Sequence, residues 1–362
     1  MKIFYKINLV IFTLLLLYSS VFAQQTAEEF YEKGLEKMKS GRYQEALPFF
    51  DEAIKLNSFY VEALLERSRA RSNNKRDLPG ALADIETILQ INPKFGEAYF
   101  ERAHLRRTMI FQMLKEKGQM RTSEILPYHK AILEDLNLAI ENGFKNKRSY
   151  SYRAELQARH LDNPAEAIKD YTEALKFDPD DFNLLMNRSF AKRANDDVQG
   201  AIDDLREIIN RYDEAKANKE IPAEKLNILK SAAIMALNNL SSTFALDEKP
   251  ELQLWAIEKS IELQPNTMAY LARGRYQTIF GSLDDAIADY NKAIEMSGGK
   301  VGHYFMSRGI VYHLQGKTVE AEADFEQGKK IDPNLKNYNL RYWLELVRRQ
   351  REQRKVKVEL PN

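Results

Sequence analysis

One helical segment recurs along this chain and restricts what the chain can fold into. Its most regular copy, AEAIKDYTEALKFDP at 165–179, places Ala167, Tyr171, Ala174 and Leu175 on one apolar stripe. This spacing predicts an amphipathic helix with one buried face. Pro179 would end the helix, because proline removes a backbone donor and disfavours helical geometry in the residue before it.

Related copies of this segment lie both upstream and downstream. They begin at residues 46, 81, 132, 201, 286 and 321, and a weaker copy begins at 253. The period is about 34 residues, broken by two insertions of roughly 17 residues. A fixed period of this length indicates a solenoid, in which each repeat buries its apolar face only by stacking on its neighbours.

A second signature precedes each copy: an aromatic residue or Leu is followed, four residues on, by Gly, Ala or Ser. With these two signatures the chain resembles the tetratricopeptide repeat (TPR) family. The first repeat matches the family pattern at Phe30, Gly34, Tyr43, Ala46, Phe50 and Ala53. The last repeat matches it at Phe305, Gly309, Tyr312, Gly316, Ala321, Phe325 and Pro333. The resemblance implies an all-α, right-handed α-solenoid of about eight TPR helix hairpins, closed by a C-terminal capping helix.

The predicted organisation has three parts: a signal peptide at 1–23, a TPR array at 24–335, and a capping helix with a basic tail at 336–362. The repeats fall near 27–60, 61–95, 96–145, 147–181, 182–210, 234–266, 267–301 and 302–335.

The N-terminus has the pattern of a secretory signal. Lys2 and Lys6 precede an apolar run over 7–17, and the segment ends in Val21-Phe22-Ala23. We therefore expect an exported chain, periplasmic or secreted. The alternative is an uncleaved membrane anchor formed by residues 7–23, although the apolar run is short for a full span.

Composition excludes several kinds of chemistry. The chain has no cysteine, so disulfides and thiol catalysis are excluded. Its net charge of +1 gives no general argument for nucleic-acid binding. The five histidines form no short metal-ligand spacing, SGGK at 297–300 lacks the spacing of a phosphate-binding loop, and no GxSxG motif occurs. We therefore predict a non-catalytic protein with no cofactor and no metal.

The insertions at 106–128 and 211–233 leave two possibilities open. The first carries an apolar segment around Met109, Ile110 and Phe111, which either packs on the array or docks a partner. Pro127 and Pro222 are each expected near the start of a helix.

The closing helix would use Leu335, Tyr338, Tyr342, Trp343 and Leu346 to cover the last repeat. Its basic end, from Arg348 to Lys357, suits either the helix dipole or an anionic surface.

A pair of charged residues recurs in six repeats. An arginine precedes the small residue of the first helix, and an aspartate precedes the anchor residue of the second. The arginines are Arg67, Arg102, Arg153, Arg188, Arg273 and Arg308, and the aspartates are Asp84, Asp135, Asp170, Asp204, Asp289 and Asp324. Repeats one and six lack both residues. Because the two residues occur together, we predict that they pair structurally, within or between adjacent hairpins.

In TPR arrays the first helices line a concave groove, and the resemblance implies the same arrangement here. Projection of those helices places Arg69, His104, Arg107, Arg159, Arg193 and Arg275 in the groove. It also places Leu65, Phe100, Met186, Phe190, Leu271, Met306 and Ile310 there. Arginines between apolar contacts suit an extended peptide that carries acidic groups.

The function expected from the sequence is that of an exported TPR scaffold, which binds a protein or extended peptide through its groove. The alternative is a structural or assembly factor of the cell envelope that acts through its insertions and basic tail. No nucleic-acid partner is expected. Membrane contact is expected only through an uncleaved N-terminus or the basic tail.

Overall fold

The structure is a computed structural model of the chain that describes residues 27–73, 77–118, 121–218, 220–246, 249–337 and 344–352. The expected signal peptide, and Tyr338, Tyr342 and Trp343 of the expected cap, lie outside these residues. Every regular element in the described part is a helix, so the all-α prediction is confirmed. None of the described helices is both long and apolar enough to cross a membrane.

The chain divides into two compact units, Met1–Leu184 and Leu185–Asn362. The helices of the first unit are α1 (27–39), α2 (Tyr43–Leu56), α3 (Val61–Asn73), α4 (Leu78–Ile91), α5 (Gly96–Lys117), α6 (Thr122–Glu141), α7 (Lys147–His160) and α8 (Pro164–Phe177). The boundary falls within α9 (Phe182–Ala194). The second unit continues with α10 (Val198–Ala217), α11 (Ala223–Leu246), α12 (Pro250–Leu263), α13 (Thr267–Phe280), α14 (Leu283–Met296), α15 (Gly302–Leu314), α16 (Thr318–Ile331), a 3-10 helix (Pro333–Asn337) and α17 (344–352).

Each unit is a stack of helix hairpins. In the first unit α3 packs on α4, α5 on α6 and α7 on α8, and α4 and α6 also pack on the first helix of the following hairpin. The second unit repeats this arrangement from α11 to α16. Stacked hairpins of this kind form an α-solenoid, which confirms the predicted fold class.

The two sequence signatures meet inside the hairpins. A Cβ atom at Gly34 would lie 2.5 Å from the Phe50 ring, and one at Gly309 would lie 2.6 Å from the Phe325 ring. Glycine is therefore required where the second helix presents a ring at close range. Side-chain caps start several helices; Asp77, for example, accepts a hydrogen bond from the Gly80 amide at 2.9 Å at the start of α4.

The first insertion lengthens both helices of its hairpin, to 22 residues in α5 and 20 in α6. Ile110 is buried, and Leu114 packs on the same cluster, whereas Met109 and Phe111 are 37% and 58% exposed. The insertion therefore packs partly on its own hairpin. Pro127 lies inside α6, not near its start, because the helix already begins at Thr122.

The second insertion lengthens α10 to 20 residues and α11 to 24. Pro222 immediately precedes α11, and its carbonyl accepts from the Leu226 amide at 3.0 Å.

The described part of the C-terminus closes the last hairpin. Leu335 and Leu344 are buried in one cluster with Met306 of α15 and Phe325 of α16. Arg351 of α17 donates to the Thr278 carbonyl oxygen at 2.5 Å. One cation of the basic segment is thus used within the fold.

Candidate functional site

Each of the two units contains a series of ion pairs with buried aspartates, one pair to a hairpin, and we call these pairs the ladder. In all six repeats the arginine of the first helix donates at least two hydrogen bonds to the aspartate of the second helix in the same hairpin. In the most symmetric example, Arg153 Nε and Nη2 donate to Asp170 Oδ2 and Oδ1 at 2.8 and 2.7 Å. The closest N–O distances of the other five pairs are 2.6 to 2.8 Å. The six aspartates are buried, so each negative charge depends on its arginine.

Three of the ladder aspartates bind a second cationic side chain as well. Arg106 Nη1 donates to Asp135 Oδ2 at 2.6 Å, and Arg71 and Lys192 make similar bonds to Asp84 and Asp204. Burial raises the pKa of the Asp135 carboxyl, and hydrogen bonds from Arg102 oppose that rise. These carboxylates therefore stabilise the hairpins only while their cations are present.

The ladder also joins neighbouring hairpins. Arg67 Nη1 donates to Asp51 of the preceding hairpin at 2.7 Å, and Arg153 Nη1 donates to Asn137 at 2.9 Å. Repeat six, which lacks the ion pair, has a neutral network instead. There Ser260 Oγ donates to Asn238 Oδ1 at 2.8 Å, and Asn266 donates to Ser260 at 3.0 Å. The ladder is thus part of the scaffold.

The candidate functional site lies on α3, α5 and α7 of the first unit. It is the side of these helices that carries Arg69, His104, Arg107, Arg148 and Arg159, and we call it the first-helix face. At its α3–α5 junction, Arg69 is surrounded by carboxylates. Its guanidinium nitrogens lie 2.6 Å from oxygens of Glu66, Glu97 and Glu101. Arg69 was predicted to be available to a ligand, but the structure shows it half-buried and neutralised by these residues.

The α5–α7 junction of the same face is built differently. The Arg107 guanidinium lies 4.6 Å from the centre of the Tyr152 ring, and the Arg148 guanidinium lies 4.8 Å from the centre of the Phe100 ring. Both arginines are exposed, and neither has a salt-bridge partner among the residues that the structure describes. Two cations are therefore presented to solvent on aromatic supports.

His104 lies on the same face of α5, one turn before Arg107. Burial lowers the pKa of His104, and the positive charges of Arg107 and Arg148 lower it further, while Glu101 opposes them. The imidazole is therefore neutral at neutral pH. Arg159 is exposed near the end of α7, with its Nε 3.8 Å from Glu155 Oε1.

Other predicted groove residues lie on the second unit. Phe190 is 37% exposed, and the Arg193 guanidinium lies 5.7 Å from the centre of its ring. Arg275 is exposed on α13. The structure brings neither arginine into a cluster comparable with the α5–α7 junction among the described residues.

The apolar part of the groove prediction differs from the structure. Six of the seven residues are buried, and only Phe190 is exposed; the buried ones are Leu65, Phe100, Met186, Leu271, Met306 and Ile310. Phe100, at 3% exposure, packs against Phe144 and Tyr152 and supports Arg148 from below. The prediction considered the exposed side of each helix alone. It therefore missed the burial of these six residues by the neighbouring hairpins.

Sequence reasoning also missed Arg148 and Tyr152. A signal was available, because Arg148, Tyr152 and Arg159 share one stripe of α7 at spacings of i, i+4 and i+11. The carboxylates around Arg69 were missed because Glu97 and Glu101 lie on the next hairpin, which only the stacking brings close.

The described residues offer no cluster of three or more His, Asp or Glu side chains suited to a metal ion. The nearest feature is a pair of histidine rings, His129 and His160, whose centres lie 4.3 Å apart. Burial lowers the pKa of both imidazoles.

Stacked hairpins, a repeated internal ladder and charged side chains on the first helices define a helical-repeat solenoid, a class that presents extended surfaces for binding. The family model for the tetratricopeptide repeat matches residues 31–94. The chain thus contains tetratricopeptide repeat sequence at residues 31–94, and the tetratricopeptide repeat fold is that of a scaffold for protein–protein interaction.

The relatives are distant. The chain is 21% identical to the mitochondrial import receptor subunit TOM70 of Mus musculus over 83% of its own length and 46% of that protein. It is 31% identical to tetratricopeptide repeat protein 36 of Homo sapiens over 19% of its length and 38% of that protein. The chain thus spans about half the length of the TOM70 proteins it matches. A tetratricopeptide repeat protein from Parabacteroides merdae aligns with 75% of this chain and 93% of its own, at 17% identity and a TM-score of 0.43.

Proposed function

We propose that this protein is an exported, non-catalytic scaffold that binds another protein, or an extended peptide, on its first-helix face. The observation that carries the proposal is the exposure of Arg107 and Arg148 on that face without salt-bridge partners in the described part of the chain. Cations held in this way favour a partner with acidic groups. The mouse relative, named as an import receptor subunit, supports a protein-binding role.

Export is proposed from the sequence of residues 1–23. The measurement is the intact mass of the chain recovered from the envelope fraction of a bacterial host. A mass that begins at Gln24 would support cleavage and export. A chain that keeps residues 1–23 and sediments with membranes would favour the anchored alternative, and an uncleaved chain in the cytosol would contradict both.

The second candidate function, an envelope assembly factor, has one supporting observation. The α5–α6 extension leaves Met109 and Phe111 partly exposed, and Tyr128 on α6 is 48% exposed. These side chains provide an apolar contact surface separate from the two arginines.

The two candidates are separated by one capture experiment. The full chain with a C-terminal affinity tag is immobilised, exposed to envelope extract, and its retained proteins are identified by mass spectrometry. Parallel columns carry R107A/R148A, M109S/F111S, and R206A as the matched control, because Arg206 is an exposed arginine of α10 outside the first-helix face. We expect wild type and R206A to retain a shared partner that R107A/R148A loses.

Loss of that partner only with M109S/F111S would favour the assembly-factor role. If no column retains a reproducible partner, and chemical crosslinking in the envelope also finds none, the scaffold proposal is wrong.

A further inference from the structure

The α5–α7 junction contains two reciprocal contacts. Arg148 at the start of α7 reaches back over Phe100 of α5, and Arg107 of α5 reaches forward over Tyr152 of α7. The two helices thus exchange guanidinium–ring contacts. A guanidinium stacked on a ring keeps its N–H groups in the plane of the stack, where they remain available for a carboxylate.

The rings that hold these arginines are fixed by packing. Phe100 is 3% exposed and Tyr152 is 8% exposed, and their ring centres lie 6.2 Å apart in an edge-to-face arrangement. The Tyr152 hydroxyl donates to the Ala103 carbonyl oxygen at 3.3 Å. The supports are therefore rigid, which reduces the entropy that the arginines lose when a ligand binds.

The surroundings limit the kind of anion that fits. On the α3 side of the junction Glu101 pairs with Arg69 at 2.6 Å, and one turn beyond Tyr152 Glu155 lies 3.8 Å from Arg159. The positive charge of the first-helix face is therefore interrupted, which does not suit a continuous polyanion such as nucleic acid. Arg107 and Arg148 are two separate cations, so they complement two single carboxylates better than a continuous row of negative charges.

We propose that the α5–α7 junction is a carboxylate-binding subsite, in which Arg107 and Arg148 each bind one acidic side chain of an extended partner segment. This inference rests on the proposed function, because it assumes that the partner lies on the first-helix face. His104 is close enough to Arg107 and Arg148 for their charges to lower its pKa, and it becomes a third cation of the subsite when it is protonated.

A purely structural role for the same contacts makes a different prediction. An exposed guanidinium–ring contact stabilises a fold only weakly. In that case removal of the arginines would weaken the fold slightly and leave the binding of any acidic ligand unchanged.

The test uses the full chain and two fluorescent peptides, one of alternating Glu and Gly and one of alternating Gln and Gly. Fluorescence anisotropy measures the affinity of each. We expect the Glu peptide to bind and the Gln peptide to bind at least about tenfold more weakly, because hydrogen bonds to a charged carboxylate are stronger than those to a neutral amide.

The variants separate binding from folding. R107A and R148A are each expected to weaken the Glu peptide about tenfold, and R107A/R148A about a hundredfold. R107K/R148K keeps the charges but cannot bind a carboxylate through two parallel N–H groups, as a guanidinium does. Its affinity for the Glu peptide should therefore lie between those of R107A/R148A and the wild type. R206A, at an exposed arginine of α10, is the matched control, and circular dichroism checks that every variant is folded.

Three results would overturn the subsite. These are equal binding of the Glu and Gln peptides, no binding of either, or full affinity in folded R107A/R148A. A phosphoserine–Gly peptide that binds much more tightly than the Glu peptide would replace the carboxylate with a phosphate as the ligand. Any of these results, combined with a captured partner in the envelope experiment, would reject the subsite while leaving the scaffold function intact.

Discussion

The α3–α5 and α5–α7 junctions occupy equivalent places in consecutive repeats but differ in charge. The ladder arginines Arg67, Arg102 and Arg153 set the register between the three hairpins. In that register His104 corresponds to Arg69, Arg148 to Glu97, and Tyr152 to Glu101.

One junction therefore neutralises its arginine with carboxylates from the next helix, at 2.6 Å. The other replaces those carboxylates with a second arginine and a ring. The difference shows that the charge presented by a junction depends on which side chains the next helix brings to it.

The largest expected effect concerns the ladder on which both junctions are built. R153M removes the arginine of Asp170 and leaves a buried carboxylate without its cation. The unfolding free energy should fall by about 3–5 kcal/mol, measured by urea denaturation. K169M, which breaks an exposed pair with Glu166, should change it little.

The double variant R153M/D170L should recover part of that loss, because no buried charge remains. If R153M unfolds at the same urea concentration as the wild type, the ladder does not hold the hairpins.

A charge reversal tests the functional side of the comparison. R148E puts a carboxylate where the other junction has Glu97, so its negative charge offsets the remaining positive charge of the junction. The affinity for the Glu peptide should fall about a hundredfold or more, roughly 3 kcal/mol. R148Q, which removes the charge without adding a carboxylate, should cost only about tenfold. Equal losses in the two variants would show that internal neutralisation does not distinguish the junctions.

The converse change removes carboxylate charges from the α3–α5 junction. E97Q/E101Q leaves the half-buried Arg69 with Glu66 alone. The unfolding free energy should fall by about 2 kcal/mol, since two charge-assisted contacts are weakened. The affinity for the Glu peptide should rise, and R69M in the same background should abolish that gain. A variant with wild-type stability and wild-type peptide affinity would contradict the role assigned to these carboxylates.

The smallest effect is a pH dependence at His104. Burial and the neighbouring charges of Arg107 and Arg148 lower its pKa, and Glu101 opposes them. A bound carboxylate would favour the protonated imidazole, so binding takes up a proton and affinity should rise severalfold as the pH falls from about 7.5 to about 5.5.

In the free protein the lowered pKa of His104 makes the fold less stable as the pH falls, whereas peptide affinity rises over the same pH range. The depressed pKa stabilises the fold while His104 is neutral, and this contribution is lost as the pH falls through the range of the histidine pKa. H104Q should remove the pH dependence of peptide affinity. If H104Q keeps the wild-type pH profile, another group is responsible.

Much of the fold could be predicted because its determinants are local. The spacing of Ala167, Tyr171 and Ala174 predicts a helix, and Pro179 predicts its end. The period of the repeats predicts their stacking. Even the ladder could be inferred, because the recurring arginine and aspartate, such as Arg153 and Asp170, occur together in six repeats and are both missing from the other two.

The site could be predicted only in part, because it depends on neighbours from other repeats. Arg107 is on the face where its helical position placed it. Phe100 is not, because α7 and the Phe144 ring cover a position that is exposed on an isolated helix. Arg69 was placed on the correct helix, but its three carboxylate contacts could not be derived from its own repeat.

The sequence by itself determined that this chain forms helix hairpins in a fixed register, because amphipathic periodicity, small residues and helix ends are properties of short segments. Only the tertiary structure decided which charges are neutralised and which are presented to solvent. That decision follows from stacking, which brings Glu97 and Glu101 onto Arg69 but brings a ring onto Arg107. The strength of an ion pair depends on distances of a few ångströms, and these distances join residues that lie far apart in the chain.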